Sequence, residues 1–256
     1  ARVDAVSENA PLPVAYVHCP AGNISIARNA ALDACQGRYA AFIDDDEIAE
    51  PGWLAALLQM ATETRAQVVL GPVEARYGED TPSWMRRAAL HDTNPVEVGG
   101  EIRTGYTCNV LIDRTRPTIR ALRFDPSLGR SGGEDTDYFS AIHRIGGTFA
   151  LAQRARVYEH VPRARASFRW LAQRRFRMGQ THARILRTHD GKPRLTSGLL
   201  AAAKIVACAG LAVAGAMDAA RRNRALLRAC FHMGVVSGLA GGRMNETYGI
   251  PAAGTP

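Results

Sequence analysis

The chain has 256 residues, 46% apolar and 22% charged, with a formal net charge of +8. That composition excludes a disordered, collagen-like or disulfide-stapled chain, and the length holds one large α/β domain or a medium domain with an appendage. The charge is uneven, −6 over residues 1–153 and +14 over residues 154–256, so the halves present different surfaces, the basic one suited to nucleic acid or anionic lipid.

In chain order, Ala1–Val6 reads as the tail of a helix, and no apolar segment follows a basic start as a signal peptide requires. The chain is expected to be truncated at its N-terminus. Val14–His18 alternates and predicts a strand, and Ser25 predicts the cap of a helix through Cys35. Tyr39–Ile43 is an apolar run after Gly37 and predicts a buried strand. It ends in four acids, Asp44, Asp45, Asp46 and Glu47. Pro51 opens a helix bearing Trp53, Leu54, Leu57, Leu58 and Ala61; Val68–Val73 and Thr104–Ile112 read as strands, with an irregular stretch over 76–100. A glycine-rich turn, Gly129–Gly133, leads to a helix Asp135–Arg144, and Phe149–Val161 is a further strand. This alternation of strands and helices argues for an α/β sheet.

After Val161 the pattern changes. Ser167 caps a helix whose polar side carries Arg169, Arg174, Arg177 and Arg184. Gly198–Met217 has Lys204 as its one charge, and a second apolar stretch spans Ala225–Gly241. Residues 1–165 therefore read as a catalytic domain and 166–256 as a basic, amphipathic and apolar helical region. The five cysteines are scattered without metal-ligand spacing, which fits a reducing compartment.

Two acidic motifs carry the chemistry. In an open α/β sheet, ligands bind beyond the carboxyl ends of strands, and four carboxylates there repel one another unless a cation sits between them. Mg²⁺ takes one or two protein carboxylates and completes its shell with water and phosphate oxygens. Taken alone, the run is equally a solvated acidic turn. The second motif, Ser131-Gly132-Gly133-Glu134-Asp135-Thr136-Asp137, is by itself a helix start with Asp135 as cap and acids that suit the helix dipole. Together the motifs divide labour: one carboxylate pair for metal and leaving group, another carboxylate to take a proton from an attacking hydroxyl.

The ordered set Ala27-Arg28-Asn29, Gly37-Arg38-Tyr39, Phe42-Ile43-Asp44-Asp45-Asp46, Gly105–Asn109 and Gly133–Asp137 resembles family 2 glycosyltransferases. His18-Cys19-Pro20, Asn23–Asn29, Gly100–Asn109 and Arg174-Arg175-Phe176-Arg177 narrow the likeness to glucosyltransferases of succinoglycan-type exopolysaccharide assembly. The resemblance spans about residues 14–190. It implies a GT-A fold, a mixed sheet flanked by helices, to which the helical region after residue 165, read from its own composition, adds a membrane-associated C-terminal part. It implies inverting transfer of one hexose from a UDP-sugar donor to a lipid-linked saccharide acceptor, with Mg²⁺ or Mn²⁺. By resemblance, Asp44 and Asp46 hold nucleotide and metal, Asp135 is the catalytic base with Glu134 beside it, and Arg28 is a donor-side residue. Asn109 contacts acceptor or diphosphate, His160 reaches metal or diphosphate or else caps and packs, and Arg174, Arg175 and Arg177 touch the donor diphosphate or a membrane. The processive enzymes' Gln-x-x-Arg-Trp motif is missing, which favours single transfer. The segment before Val14 lacks the family's first strand and early Asp, which leaves the nucleotide pocket and the chain's own activity open.

Gly198–Met217 is long enough to span a bilayer, but is rich in Ala and Gly. With its arginine-rich flanks, peripheral attachment to an anionic leaflet, on the cytoplasmic face of the inner membrane, is the preferred expectation. Three rivals stay open: a nucleic-acid binder, disfavoured because no stacking platform interleaves the arginines; another metal-dependent phosphate-ester enzyme; and an inactive membrane-bound interaction partner.

Overall fold

A computed structural model describes residues 12–188 and 194–242. The elements run α1 (Ile24–Ala34), β1 (Tyr39–Ile43), β2 (Glu47–Ala49), α2 (Trp53–Thr64), β3 (Val68–Leu70), β4 (Val73–Tyr77), α3 (Ser83–Ala88), β5 (Glu97–Val98), β6 (Glu101–Ile102) and β7 (Asn109–Asp113). They continue with α4 (Pro117–Arg120), α5 (Glu134–Arg144), β8 (Phe149–Leu151), β9 (Val157–Val161), α6 (Phe168–Thr188), α7 (Arg194–Ala214) and α8 (Ala219–Leu239). The helix tail expected at Ala1–Val6 lies outside the described residues.

The architecture is mixed α/β. The larger sheet has order β1-β7-β3-β8, with β7 antiparallel to β1 and β3, and β8 parallel to β3. A second sheet, β2-β9-β4, pairs β9 antiparallel to β2 and parallel to β4. Side chains alternate across a strand, and both faces of the larger sheet are covered. Val68, Leu70, Val110 and Ile112 pack with Leu32, Phe124, Tyr138, Phe139 and Ile142. Val69 and Leu111 pack on the opposite face with Leu57, Ala61, Ala152 and Ala155. The acidic run extends from β1 at the edge of this sheet, where only Ala40 of the strand is buried, so the expected buried strand is a half-exposed edge strand.

Several expected elements take a different form. Val14–His18 forms no ladder among the described residues, and it is exposed; alternation without a partner strand leaves backbone groups to water. The cap of α1 is Asn23, whose Oδ1 accepts from Ile26 N–H, and Ser25 is buried one residue inside the helix. Val68–Val73 and Phe149–Val161 are each split between the two sheets. Gly71-Pro72 interrupts the first, since proline gives no ladder donor, and a turn at residues 153–154 interrupts the second. Thr104–Ile112 contributes Asn109–Asp113 to the larger sheet, and its first part is irregular.

At the C-terminal end α6 and α8 cross where Gly179 meets Gly234. A Cβ on Gly234 would lie 1.9 Å from the Phe176 carbonyl oxygen, and one on Gly179 would lie 2.0 Å from that of Phe231. Helix α7 packs on α8 with Ala201 buried alongside Val235 and Leu239. Its outer side leaves Leu199 62%, Val206 72% and Val213 77% exposed. It is long and apolar enough to cross a membrane, by length and composition.

Candidate active site

Asp44 follows the last residue of β1, and Glu47 opens β2, so the acidic run is the crossing from one sheet to the other. The turn is closed by the Glu47 N–H donating to the Asp44 carbonyl at 3.2 Å, while the Asp44 N–H donates to Glu47 Oε2 at 3.0 Å. Register then brings in a residue remote in sequence. Glu47 stands opposite Glu159 in the antiparallel β2–β9 pair, with both side chains on one face. Arg165 answers this charge, 2.9 Å from Glu159 and 3.8 Å from Asp46.

The second motif arrives from the opposite side. Gly132 and Gly133 have φ of +87° and +91°, a left-handed backbone that glycine adopts without strain. They turn the chain into α5 so that Glu134 and Asp135 occupy its first turn. Glu134 is buried and ion-paired with Arg28 of α1, and its second oxygen is buried without a hydrogen-bond partner. Asp135 Oδ1 accepts from the Thr136 N–H at 2.6 Å and from the Thr136 hydroxyl at 3.3 Å.

Electrostatics tie the two motifs into one site. Burial raises the Asp44 carboxyl above its ordinary value; Arg28 opposes this, and Asp46, Asp45 and Asp135 add to it. Glu47 is pushed up to about 8 by burial, with Asp44, Glu159 and Asp46 reinforcing. Glu159 is raised by burial and Asp46, against Arg174 and Arg165. Glu134 is raised by burial and Asp135 and restrained by Arg28. Cys108 sits in the field of Glu47, Asp44, Asp135 and Glu159; burial first, then those carboxylates, hold its thiol well above the usual range. Acids that raise one another in this way fit a divalent cation held by two of their carboxylates. Among the described residues no three His, Cys, Asp or Glu side chains converge as a complete metal cage.

The structure thus brings together Arg28, Asp44, Asp46, Glu134 and Asp135, with Arg174 at the edge. Arg174 acts on Glu159 and lies 5.4 Å from the Trp170 ring centroid. Arg177 lies on the same helix, partly buried. Asn109 is fully buried: its Nδ2 donates to the Pro72 carbonyl at 3.0 Å and the Ala155 carbonyl at 2.7 Å, and its Oδ1 accepts from Trp53 at 2.8 Å. His160 is exposed next to Glu159 on β9, hence on the opposite side of the strand, where it is registered with Arg76. Glu159, Arg165 and Cys108 are the residues at this site that the sequence reading passes over. Only the pairing of β2 with β9 reveals the first two.

The family model for Glycosyl transferase family 2 matches residues 2–153. The succinoglycan biosynthesis protein ExoM of Rhizobium meliloti (strain 1021) is 51% identical over 251 residues, 97% of this chain and 81% of that protein. Crystal structures of S. aureus TarS 1–349 in complex with UDP and with UDP-GlcNAc each align with a TM-score of 0.46. They are 16% and 14% identical over 96% of this chain, covering 84% and 85% of theirs.

Proposed function

The chain belongs to glycosyl transferase family 2, and from that premise we propose that it transfers one hexose, with inversion, from a UDP-sugar to a lipid-linked oligosaccharide in bacterial exopolysaccharide or cell-surface glycan assembly. Mixed sheets flanked by helices agree with the GT-A architecture expected of such a chain. The exopolysaccharide setting is supported by the 51% identity to a succinoglycan biosynthesis protein; glucose as the sugar and UDP as its carrier rest on the motif resemblance. One observation carries the reading: Arg28 of α1 is ion-paired with Glu134 of the second motif, and the same guanidinium and Asp135 both lie within electrostatic reach of Asp44 in the first.

In this reading Asp135 accepts the acceptor's hydroxyl proton as that oxygen attacks the anomeric carbon from the face opposite the diphosphate. Thr136 fixes one oxygen of the carboxylate and so orients the other. Glu134, buried beside the base and ion-paired with Arg28, holds the start of α5 in place. Asp44 and Asp46 are the carboxylates that would hold Mg²⁺ or Mn²⁺. A bound cation supplies Lewis-acid neutralisation of charge on the departing diphosphate. Arg174 and Arg177 serve as donor-side cations, and holding both substrates together contributes further. Residues 1–165 form the catalytic unit in this account. Residues 166–256 attach it to the cytoplasmic face of the inner membrane through the basic surface and α7.

The test supplies radiolabelled UDP-glucose, Mg²⁺ and lipid-linked oligosaccharide extracted from membranes. Release of UDP with label passing into the lipid phase is the expected result. Release of inorganic phosphate without sugar transfer, or neither product, overturns the proposal.

A further inference from the structure

Away from the acidic site, α3, the end of α7 and α8 enclose a groove of about 510 Å³ lined by Arg87, Arg221, Arg224 and Arg228 over Leu211 and Gly215. A second hollow of about 270 Å³ adjoins it, sharing Arg224 and Arg228 and adding Arg175 of α6. Asp218 is the acid lining the groove. It is already committed, capping α8 through the Ala220 N–H at 2.9 Å and lying 3.6 Å from both Arg87 and Arg221. Arg224 donates to the Ala88 carbonyl at 2.9 Å.

Arg175 and Arg228 have no acidic partner among the described residues. Arg175 is partly buried, and burial together with Arg174 lowers it from its ordinary value. An unmatched guanidinium that is partly buried, as Arg175 is, is costly unless an anion joins it, and Arg228 stands exposed at the mouth with its charge unanswered. The planar fork of arginine matches phosphate oxygens in paired hydrogen bonds. The apolar surface is next door: Leu211 is 56% exposed, Val213 77% and Met217 101%, all within one or two turns of the groove.

We propose that this groove binds the phosphate of an anionic membrane lipid headgroup, with the outer side of α7 lying against the acyl chains. The inference rests on the membrane attachment proposed above and assigns it a site. The arginines supply the ligand selectivity, and the apolar helix supplies partitioning that does not depend on headgroup charge.

The test is flotation of the full chain with vesicles of phosphatidylcholine alone and of phosphatidylcholine with phosphatidylglycerol, at low and high salt. Arg228→Gln, at an exposed position, and Arg175→Gln should each weaken binding to the anionic vesicles by about fivefold. Arg175→Lys should recover part of the loss, and binding to the neutral vesicles should be equal for all variants. Unchanged flotation of both glutamine variants overturns the groove. Calorimetric binding of inorganic pyrophosphate with the same arginine dependence, but no preference for anionic vesicles, overturns the lipid as its source. No flotation of the unaltered chain on either vesicle overturns the membrane attachment itself.

Discussion

One oxygen of Asp135 is held by Thr136, leaving the other to accept a proton from a bound hydroxyl. Asn preserves that shape and removes the basicity. For Asp135→Asn we expect the transfer rate to fall by about 10²–10⁴, while UDP binding by calorimetry is unchanged; a variant that still turns over at the original rate removes Asp135 from the role of base. Residues of this kind are legible in the sequence because they are contiguous: Asp44 to Glu47 follow an apolar run, and Glu134 and Asp135 follow a glycine pair. Glu159 is not legible, because its place depends on standing opposite Glu47 in a ladder. No local periodicity states which strand pairs with which. Cys108 is hidden for a related reason: in the sequence it is a small apolar residue, and its field comes from four acids gathered by the fold.

At the scale of elements, helices α1, α2, α5 and the basic helix after Ser167 follow from apolar spacing and from their Pro, Gly and Ser punctuation, although α1 is capped by Asn23 and not by Ser25, whereas the strands are misjudged wherever a crossing occurs inside an apolar run. Gly71-Pro72 was the visible signal for one such crossing. Two contacts between elements can be measured. The α6–α8 crossing has no room for a methyl group at Gly234, so Gly234→Ala should cost about 1–3 kcal/mol of stability, seen as a lower melting temperature.

His91 joins β4 to α6. Its Nε2–H donates to the Arg165 carbonyl at 3.1 Å, its Nδ1 accepts from the Tyr77 hydroxyl at 3.1 Å, and its ring stacks on Trp170 with centroids 5.4 Å apart. Burial lowers its pKa from the ordinary 6.5; the carbonyl bond from Arg165 and the Asp92 charge oppose this, and the Arg174 and Arg165 charges assist it. The unfolded chain therefore takes up the proton first as pH falls. The contribution of His91 is whole above pH 6.5 and is lost between 6.5 and the lower folded value. Denaturant titrations of His91→Gln should show a shallower loss of stability over that window than the unaltered chain; parallel curves would mean that His91 does not titrate on unfolding.

For the whole molecule, the charge asymmetry read from the sequence corresponds to two regions, an acidic cluster at the sheet seam and arginine-lined grooves beside α7. The seam is crossed by the chain at residues 43–47, 70–73 and 151–157, and two of those crossings meet one side chain. Asn109 binds the Pro72 and Ala155 carbonyls while receiving the Trp53 indole, and Tyr106 adds a bond from its hydroxyl to the Gly71 carbonyl at 2.8 Å. Asn109→Ala leaves buried polar groups unmatched, each costing about 1–3 kcal/mol. In hydrogen exchange by mass spectrometry, β4 and β9 should then lose protection before β3 and β7 do; equal loss throughout would show that Asn109 is not the link. By the same reasoning, the unaltered protein is expected to melt its two sheets as a single cooperative unit. A sugar-transfer site assembled from both would then have no half-formed state: wherever Asp44 is correctly placed, Glu159 is as well.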